Sequence, residues 1–237
     1  MRLRTALFLF LFTLGVVLSG TVYAGFALHK QDITDREQQT VGAASQSVAS
    51  DIDSRLAERV HTVEFAAATL LHNKSAHSHS KQVLAAFVDR TAFDGASVID
   101  ANGSMQAIAV SNLPRNASTR LVGEYFGDRT YFQRALAGET YVSDPVEADS
   151  GNLIVTISTP VHENGTVVGT FNGALHVRNA SLFYPSNTSL GRQQRVTVRS
   201  ESFRLFSDGR PVSQNTSDIL AANATVPSTG WTVTVGT

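Results

Sequence analysis

The sequence predicts an α+β protein, in which a long N-terminal helix precedes an antiparallel sheet module with flanking helices and a smaller β subdomain. Three observations predict this. Apolar residues recur every three or four positions over residues 41–70, which is helical spacing. The next segments alternate as strands do and are joined by short turns, of which Asn102-Gly103 is the strongest hairpin signal. Further short strand-like runs follow residue 195, and hairpin-linked strands imply antiparallel pairing with helices packed on one side.

The composition excludes several classes of protein. A chain of 237 residues can bury a sizeable core. The formal net charge of -1 argues against a nucleic-acid binder. The absence of Cys excludes disulfide frameworks, thiolate zinc sites, iron–sulfur clusters and a Cys nucleophile. We therefore expect no cofactor, no metal centre and no nucleic-acid partner.

The N-terminal segment predicts a membrane anchor. Residues 5–28 contain no charged side chain, and about 20 apolar residues suffice to span a bilayer. Arg2 and Arg4 precede this run, which orients the N-terminus inward. We expect a cytoplasmic N-terminus over 1–5, one transmembrane span over 6–28, and the bulk of the chain outside the cytoplasm. A cleaved signal peptide, with a small-residue cleavage site at 22–24 or at 25–27, is the alternative.

A high density of glycosylation sequons also indicates an outward-facing protein. Eight of the 11 Asn residues begin an Asn-x-Ser/Thr sequence, a pattern that belongs on the surface of translocated proteins. Ordinary turn chemistry is the alternative at the two Asn-Gly sequences among them. The predicted acceptors are Asn73, Asn102, Asn116, Asn164, Asn179, Asn187, Asn215 and Asn223.

Residues 29–72 are predicted to form a stalk helix. About 40 helical residues extend about 60 Å, longer than a small domain needs for its own core. We expect this helix to rise from the membrane and to pair with a second copy, which gives a homodimer. The apolar stripe consists of Val41, Ala44, Val48, Ile52, Leu56, Val60, Val63, Ala67 and Leu70.

The segment 73–80 is polar and is predicted to be a solvated loop before a short helix over 81–90. The neighbouring His72, His77 and His79 leave a metal site as the alternative, although no carboxylate or Cys accompanies them.

The spacing of apolar residues then changes from that of a helix to that of β-strands. The predicted elements are strands over 95–100 and 105–110, a helix over 129–137 capped by Asp128, and strands over 140–143, 153–159 and 166–177. Pro160 is expected to stop the strand before it. Runs over 195–206, 211–226 and 231–235 predict two or three further strands, which form a small second subdomain against the stalk.

The stretch 123–145 resembles the Cache sensor family. It contains Asp128-Arg129-Thr130-Tyr131-Phe132, then Ala135-Leu136-Ala137-Gly138, then Ser143-Asp144-Pro145. The strand 154–161 and the Gly-x-Val-Val-Gly strand at 165–170 continue the match. The resemblance covers residues 85–178 in motif and 31–237 in organisation, in which the long helix and two sheet modules resemble a double Cache domain.

This resemblance implies a PAS-like extracytoplasmic module that binds a small molecule. It implies a distal sensor module over 73–182 and a reduced proximal subdomain over 183–237. Family members are parts of histidine kinases and chemotaxis transducers, so we expect the ligand-sensing module of such a receptor. The expected ligand is an organic acid or an amino acid.

The resemblance also implies where the ligand binds. The six candidate ligand-binding residues are Arg129, Tyr131, Tyr141, Asp144, Thr156 and Ser158. Arg129 would meet a carboxylate, because a guanidinium donates two parallel hydrogen bonds to such a group. Tyr131 and Tyr141 would form aromatic walls, and Asp144 would meet an ammonium group. The alternatives are a helix-start ion pair for Arg129, a core position for Tyr131 and a turn for Asp144.

An enzyme and a structural surface protein are the two classes of function to weigh against a sensor. The sequence contains no Gly-x-Ser-x-Gly, His-Glu-x-x-His or Walker motif, so we expect no enzymatic activity. A membrane-anchored surface glycoprotein with a structural or adhesive role is the alternative to a sensor. No output module is recognisable in these 237 residues, so a sensor would be part of a longer receptor or would signal through a partner.

Overall fold

The structure is a computed structural model of the chain. It describes residues 2–70, 76–111, 120–148, 151–178, 181–184, 194–207 and 220–236. Within these ranges, side chains are described except at 2–11, 13, 17, 20, 22–35, 70 and 76–80. The predicted acceptors Asn73, Asn116, Asn179, Asn187 and Asn215, together with His72, lie outside the described residues.

The first element is a single long helix, α1 (Arg2–Leu70). It includes residues 29–70 of the predicted stalk and extends to the N-terminal end of the described chain, whereas residues 71–72 of the stalk lie outside the described residues. No helix in the described residues is both long enough and apolar enough to cross a membrane. The anchor over 6–28 therefore stays a prediction.

Over residues 41–67, the apolar stripe of α1 is core rather than a seam between copies. Val48, Leu56 and Val63 are at most 1% exposed within this one chain. Residues 41–56 pack against one sheet and residues 63–67 against another. Helical spacing shows which face of a helix is apolar but not what covers it, so reading the stripe as a pairing seam was wrong. Pairing between two copies of the chain stays a prediction, and it would have to use a different face of α1.

The larger sheet has antiparallel strands in the order β2-β1-β6-β5-β3, and β4 also pairs with β5. Its strands are β1 (Gly95–Asp100), β2 (Met105–Val110), β3 (Tyr141–Val142), β4 (Val146–Glu147), β5 (Leu153–Glu163) and β6 (Thr166–His176). The two predicted hairpins, β1–β2 and β5–β6, are confirmed. The predicted α+β class with antiparallel sheets is confirmed as well.

Two shorter helices flank this sheet. Helix α2 (Ala76–Arg90) begins five residues before the predicted start at 81, so the expected loop over 76–80 was wrong. Helix α3 (Thr130–Leu136) buries Phe132 and Ala135. Its N-cap residue is Arg129, which makes no side-chain capping hydrogen bond, so the predicted cap by Asp128 was also wrong.

Pro160 does not end β5, which continues to Glu163. The neighbouring strand β3 reaches only Ile157 and Ser158 of β5. Beyond that point the β3 side of β5 is an edge, so the missing N–H of Pro160 breaks no ladder hydrogen bond. The sequence prediction failed because it could not show how short β3 is.

A smaller four-stranded antiparallel sheet has the order β8-β7-β10-β9. Its strands are β7 (Arg195–Arg199), β8 (Arg204–Ser207), β9 (Ala221–Thr225) and β10 (Thr232–Gly236). Its buried face packs on α1 around Trp231, which is 1% exposed. Arg55 of α1 donates hydrogen bonds of 2.7 Å to the carbonyls of Ser181 and Tyr184, which fixes the helix to the segment that connects the two sheets.

Three predicted glycosylation acceptors lie in the described part of the chain. Asn102 and Asn164 are exposed and occupy turns between strands. Asn223 is exposed on β9, and its Oδ1 accepts a hydrogen bond of 2.8 Å from Thr234. Surface exposure is what a glycan requires, so glycosylation stays a prediction at these positions.

Candidate functional site

A cavity of about 680 Å³ lies on the face of the larger sheet that carries α3. This volume is within the range of small-molecule sites. Its floor consists of β1, β5 and β6, and its sides of β2 and β4. Its roof is the segment 120–131, which we call the roof segment. The lining is mixed, with apolar side chains such as Met105, Ile108 and Ile154 beside several charged ones.

The floor contains a buried polar network centred on Asn172. Strand register places Asn172 between Ser97 of β1 and Ser158 of β5. The Oδ1 atom of Asn172 accepts a hydrogen bond of 2.5 Å from the Ser158 hydroxyl, and its Nδ2 donates one of 3.2 Å to Thr170. Ser158 and Thr170 have no exposed surface. These bonds fix the orientation of the carboxamide at the bottom of the cavity.

The roof segment is held to the β1–β2 hairpin by backbone hydrogen bonds. The N–H of Phe126 donates to the Gly103 carbonyl at 2.7 Å, and the N–H of Met105 donates to the Glu124 carbonyl at 3.0 Å. The N–H of Gly123 donates to the Met105 carbonyl at 2.8 Å. The roof segment is thus hydrogen-bonded to the start of the edge strand β2 and to the turn before it.

Gly103 is needed at this junction for two reasons. Its φ of 85° lies in the left-handed region, which side chains with a Cβ rarely adopt. A Cβ at this position would also lie 2.7 Å from Gly127 Cα and 2.8 Å from Tyr125 Cε2. The hairpin turn therefore fits closely under the roof.

Arg129 is positioned by the start of α3. Its N–H donates to the Phe126 carbonyl at 3.1 Å, and its own carbonyl accepts the N–H groups of Phe132 and Gln133. Its ion pair with Asp128 is 4.0 Å long, and the two side chains are 48% and 73% exposed. An ion pair this long and this exposed contributes little to the stability of the protein. Asp128 therefore binds the Arg129 guanidinium at the cavity only weakly.

Three of the six predicted site residues, Arg129, Tyr131 and Thr156, line the cavity. Tyr141 and Ser158 are described residues outside its lining. The Tyr141 ring lies 5.4 Å from the guanidinium carbon of Arg134 on α3, and Ser158 reaches the cavity only through Asn172.

The remaining predicted site residue, Asp144, is also a described residue outside the cavity lining. It is exposed and accepts a hydrogen bond from Trp231 of the smaller module.

Several polar or charged lining residues were missed by the sequence reasoning. They are Arg120, Glu124, Glu147 and His176. A weak signal did exist for His176, because it shares the face of β6 with Asn172 and Ala174 at two-residue spacing. Nothing in the sequence showed that the roof segment and β4 would meet over that face. Among the described residues, no group of three or more His, Asp or Glu is arranged to hold a metal ion.

Comparison with known proteins identifies the type of domain. A family model described as "Cache domain" matches residues 27–237. No curated protein is similar enough in sequence to match.

Solved structures show the same fold at low sequence identity. The sensory domain of the Campylobacter jejuni chemoreceptor Tlp3 with isoleucine bound has a TM-score of 0.64 and 9% identity, covering 88% of this chain and 95% of its own. The sensor domain of the Vibrio cholerae (V. cholerae) histidine kinase DctB has a TM-score of 0.64 and 14% identity, with coverages of 88% and 98%. The ligand-binding domain of the Pseudomonas fluorescens chemoreceptor CtaA with L-isoleucine has a TM-score of 0.64 and 17% identity, with coverages of 88% and 94%.

Proposed function

The chain belongs to the Cache domain family, and from this membership we propose that it is the extracytoplasmic ligand-sensing part of a membrane signal-transduction receptor. The receptor is of the histidine kinase or chemotaxis transducer type. The observation that carries the proposal is the 680 Å³ cavity with Arg129 on its roof. The ligand is a small organic molecule whose carboxylate meets this guanidinium.

The charges around the cavity favour a zwitterion over a simple dianion. Arg120 and Arg129 supply two positive charges, and Glu124 and Glu147 supply two negative ones. A ligand with one carboxylate and one ammonium group balances such a lining better than two carboxylates do. Isoleucine is bound in two of the similar sensory domains, which supports an amino acid as the ligand of this cavity.

The same proposal includes a membrane anchor and a dimer of the chain. The residues 6–28 anchor the chain, and the stalk carries the sensor outside the cytoplasm. A second copy packs on the outer face of α1, where Phe65 is 75% exposed. Sedimentation of the full chain in detergent tests this part: a monomer at high protein concentration contradicts it. Phe65→Asp is expected to weaken association, and Ser50→Asp, at another exposed position of α1, serves as its control.

A thermal-shift screen of the purified full chain tests the ligand proposal. The standard L-amino acids and a set of short organic acids are the probes. A ligand present at 100 times its Kd adds about 2.7 kcal/mol to the free energy of unfolding, which is readily detected. The absence of stabilisation by any probe contradicts the proposal and favours a structural surface protein instead.

A further inference from the structure

Thr156 lies in the middle of the cavity floor. Strand register places it on β5 opposite Ala174 of β6, which in turn is opposite Gly95 of β1. All three residues line the cavity. Because Ala174 has only a methyl group and Gly95 has no side chain, neither covers Thr156. The space beside Thr156 is therefore part of the cavity.

The hydroxyl of Thr156 differs from the other buried polar groups. Eight polar residues of the described chain are at most 8% exposed, and the side chains of seven form hydrogen bonds. Thr156 is the eighth. It is 4% exposed, and its hydroxyl forms no hydrogen bond within the described part of the chain, where only its backbone is bonded. Buried hydroxyls in proteins are in general paired, so this one is an exception that calls for a partner.

The unpaired oxygen is open to the cavity. No hydroxyl among the described residues is both sealed from solvent and without a partner. The Thr156 oxygen has no partner, so it retains accessible surface. Since Thr156 is a lining residue with very little exposure elsewhere, this surface faces the cavity.

The backbone of Thr156 is held in place. Its N–H donates a hydrogen bond of 2.9 Å to the Ser143 hydroxyl, and its carbonyl accepts one of 2.8 Å from the Ser143 N–H. The side chain is β-branched, which restricts rotation about its first torsion. The hydroxyl is therefore preorganised, and a ligand that binds to it loses little free energy in ordering the protein.

The strongly charged groups of the cavity lie away from this part of the floor. The lining residues with a guanidinium or carboxylate belong to the roof segment or to β4, and they are Arg120, Glu124, Arg129 and Glu147. On the floor strands β1, β5 and β6, the one lining residue that can take up a charge is His176 at the end of β6. An amino acid whose carboxylate and ammonium meet the roof and β4 therefore directs its side chain towards Thr156.

We propose that Thr156 makes the cavity selective for amino acids whose side chain has an uncharged hydrogen-bonding group, a hydroxyl or a carboxamide, which the Thr156 hydroxyl binds. A hydroxyl both donates and accepts, so it pairs with either kind of group. The inference rests on the proposed function, since it names the class of amino acid that the same cavity takes.

Apolar and charged side chains are disfavoured for different reasons. An apolar side chain against Thr156 displaces water from the hydroxyl and leaves it without any partner, which costs free energy. A charged side chain at the same place loses its hydration beside groups that carry no opposite charge. A site that hydrogen-bonds a group of its ligand discriminates strongly against the analogue that lacks this group.

The first experiment compares amino acids of similar size in calorimetry with the full chain. The pairs are L-threonine with L-valine, L-asparagine with L-leucine, and L-glutamine with L-methionine. Both members of a pair have the same charges and nearly the same volume, so a difference in affinity reports the polar group. We expect the polar amino acid that binds best to bind at least about tenfold tighter than its apolar counterpart.

Three variants assign the selectivity to the Thr156 hydroxyl. Thr156→Val removes the hydroxyl but keeps the branched shape, and should reduce the preference to about twofold or less. Thr156→Ser keeps the hydroxyl and should keep the preference. Thr197→Val makes the same change on a strand of the smaller sheet, outside the cavity lining, and should bind and discriminate as the parent does.

Thermal unfolding provides a readout without ligand. Thr156→Val breaks no hydrogen bond of the protein, so its Tm should not fall below that of the parent. Ser158→Ala removes the donor of the 2.5 Å bond to Asn172, and its Tm should fall. A fall in the Tm of Thr156→Val as large as that of Ser158→Ala would show that the hydroxyl has a partner within the protein, and it overturns the inference.

The binding outcomes separate the inference from the proposed function. Equal or tighter binding of the apolar members, or tightest binding of a charged amino acid or an organic acid, overturns the inference but leaves the proposed function intact. An unchanged preference in Thr156→Val has the same consequence. Failure of every amino acid and organic acid to bind contradicts both.

Discussion

The indole Nε1 of Trp231 donates a hydrogen bond of 3.4 Å to Oδ1 of Asp144, which joins the smaller module to the larger one. Asp144 lies between β3 and β4, only two residues before Val146 in the cavity wall. Val142, just before it in the chain, packs against both hydrophobic cores. The segment that closes one side of the cavity is therefore attached directly to the core of the smaller module.

This relationship predicts that Asp144 supports the junction between modules and does not bind ligand. Asp144→Ala should lower the free energy of unfolding by about 1 kcal/mol, through loss of one hydrogen bond. It should also change the fluorescence of Trp231, which is the single tryptophan of the chain. Asp128→Ala, which removes another exposed carboxylate, should change neither quantity. A large loss of ligand affinity in Asp144→Ala would instead restore the direct ligand contact predicted from the sequence.

Helix α1 is predicted to stabilise the protein through its buried stripe. Leu56 has no exposed surface and lies in the core shared with the smaller sheet. Leu56→Ala should cost about 2–5 kcal/mol in chemical denaturation, because it removes transfer free energy and leaves a cavity. Ser50→Ala, at an exposed position on the same helix, should stay within about 0.5 kcal/mol of the parent. Equal effects of the two substitutions would show that α1 does not pack as described.

Much of the fold was predictable because its signals are local. The turn residues at 102–103 and 164–165 define two hairpins, and the alternation of apolar residues defines the strands they join. The spacing in α1 identified its apolar face. Three features were not predictable: the sheets that cover this face, the continuation of β5 through Pro160, and the short strand β4. They depend on contacts between segments that are distant in the chain, which a single sequence does not display.

The site was predictable in part for the same reason. Arg129 and Tyr131 were found because they belong to a continuous motif at the start of α3. Asn172 and His176 were missed, because they acquire a role only when the roof segment and β4 are placed over β6. Asp144 belongs to the same motif, yet its side chain points to the other module.

The polar floor of the cavity is predicted to act as a coupled unit. Asn172→Ala leaves the buried Ser158 hydroxyl without its 2.5 Å acceptor and should cost about 1–3 kcal/mol. Ser158→Ala combined with Asn172→Ala should be less destabilising than the sum of the single changes, by about 0.5 kcal/mol or more. Asn223→Ala, which removes an exposed bond to Thr234, should have little effect. Strict additivity in the double variant would argue against a coupled floor.

The close fit of the hairpin turn under the roof predicts a position-specific effect of an added methyl group. Gly103→Ala meets both an unfavourable φ and the atoms of Gly127 and Tyr125. Gly138→Ala meets an unfavourable φ of 99° but has no neighbour within 4 Å. Gly138→Ala should cost about 1 kcal/mol, and Gly103→Ala clearly more, with a loss of ligand affinity confined to Gly103→Ala. Identical costs would show that the roof is not packed on this turn.

The most direct test of the central claim is calorimetry of the full chain and its Arg129→Ala variant with the amino acid or organic acid that stabilises the parent best. Arg134→Ala is the control, because Arg134 lies on the same helix but pairs with Glu139 outside the cavity. We predict that Arg129→Ala loses at least about 2 kcal/mol of binding free energy, the contribution of a paired carboxylate, while Arg134→Ala binds as the parent does. Undiminished binding in Arg129→Ala would contradict recognition of a carboxylate at this cavity.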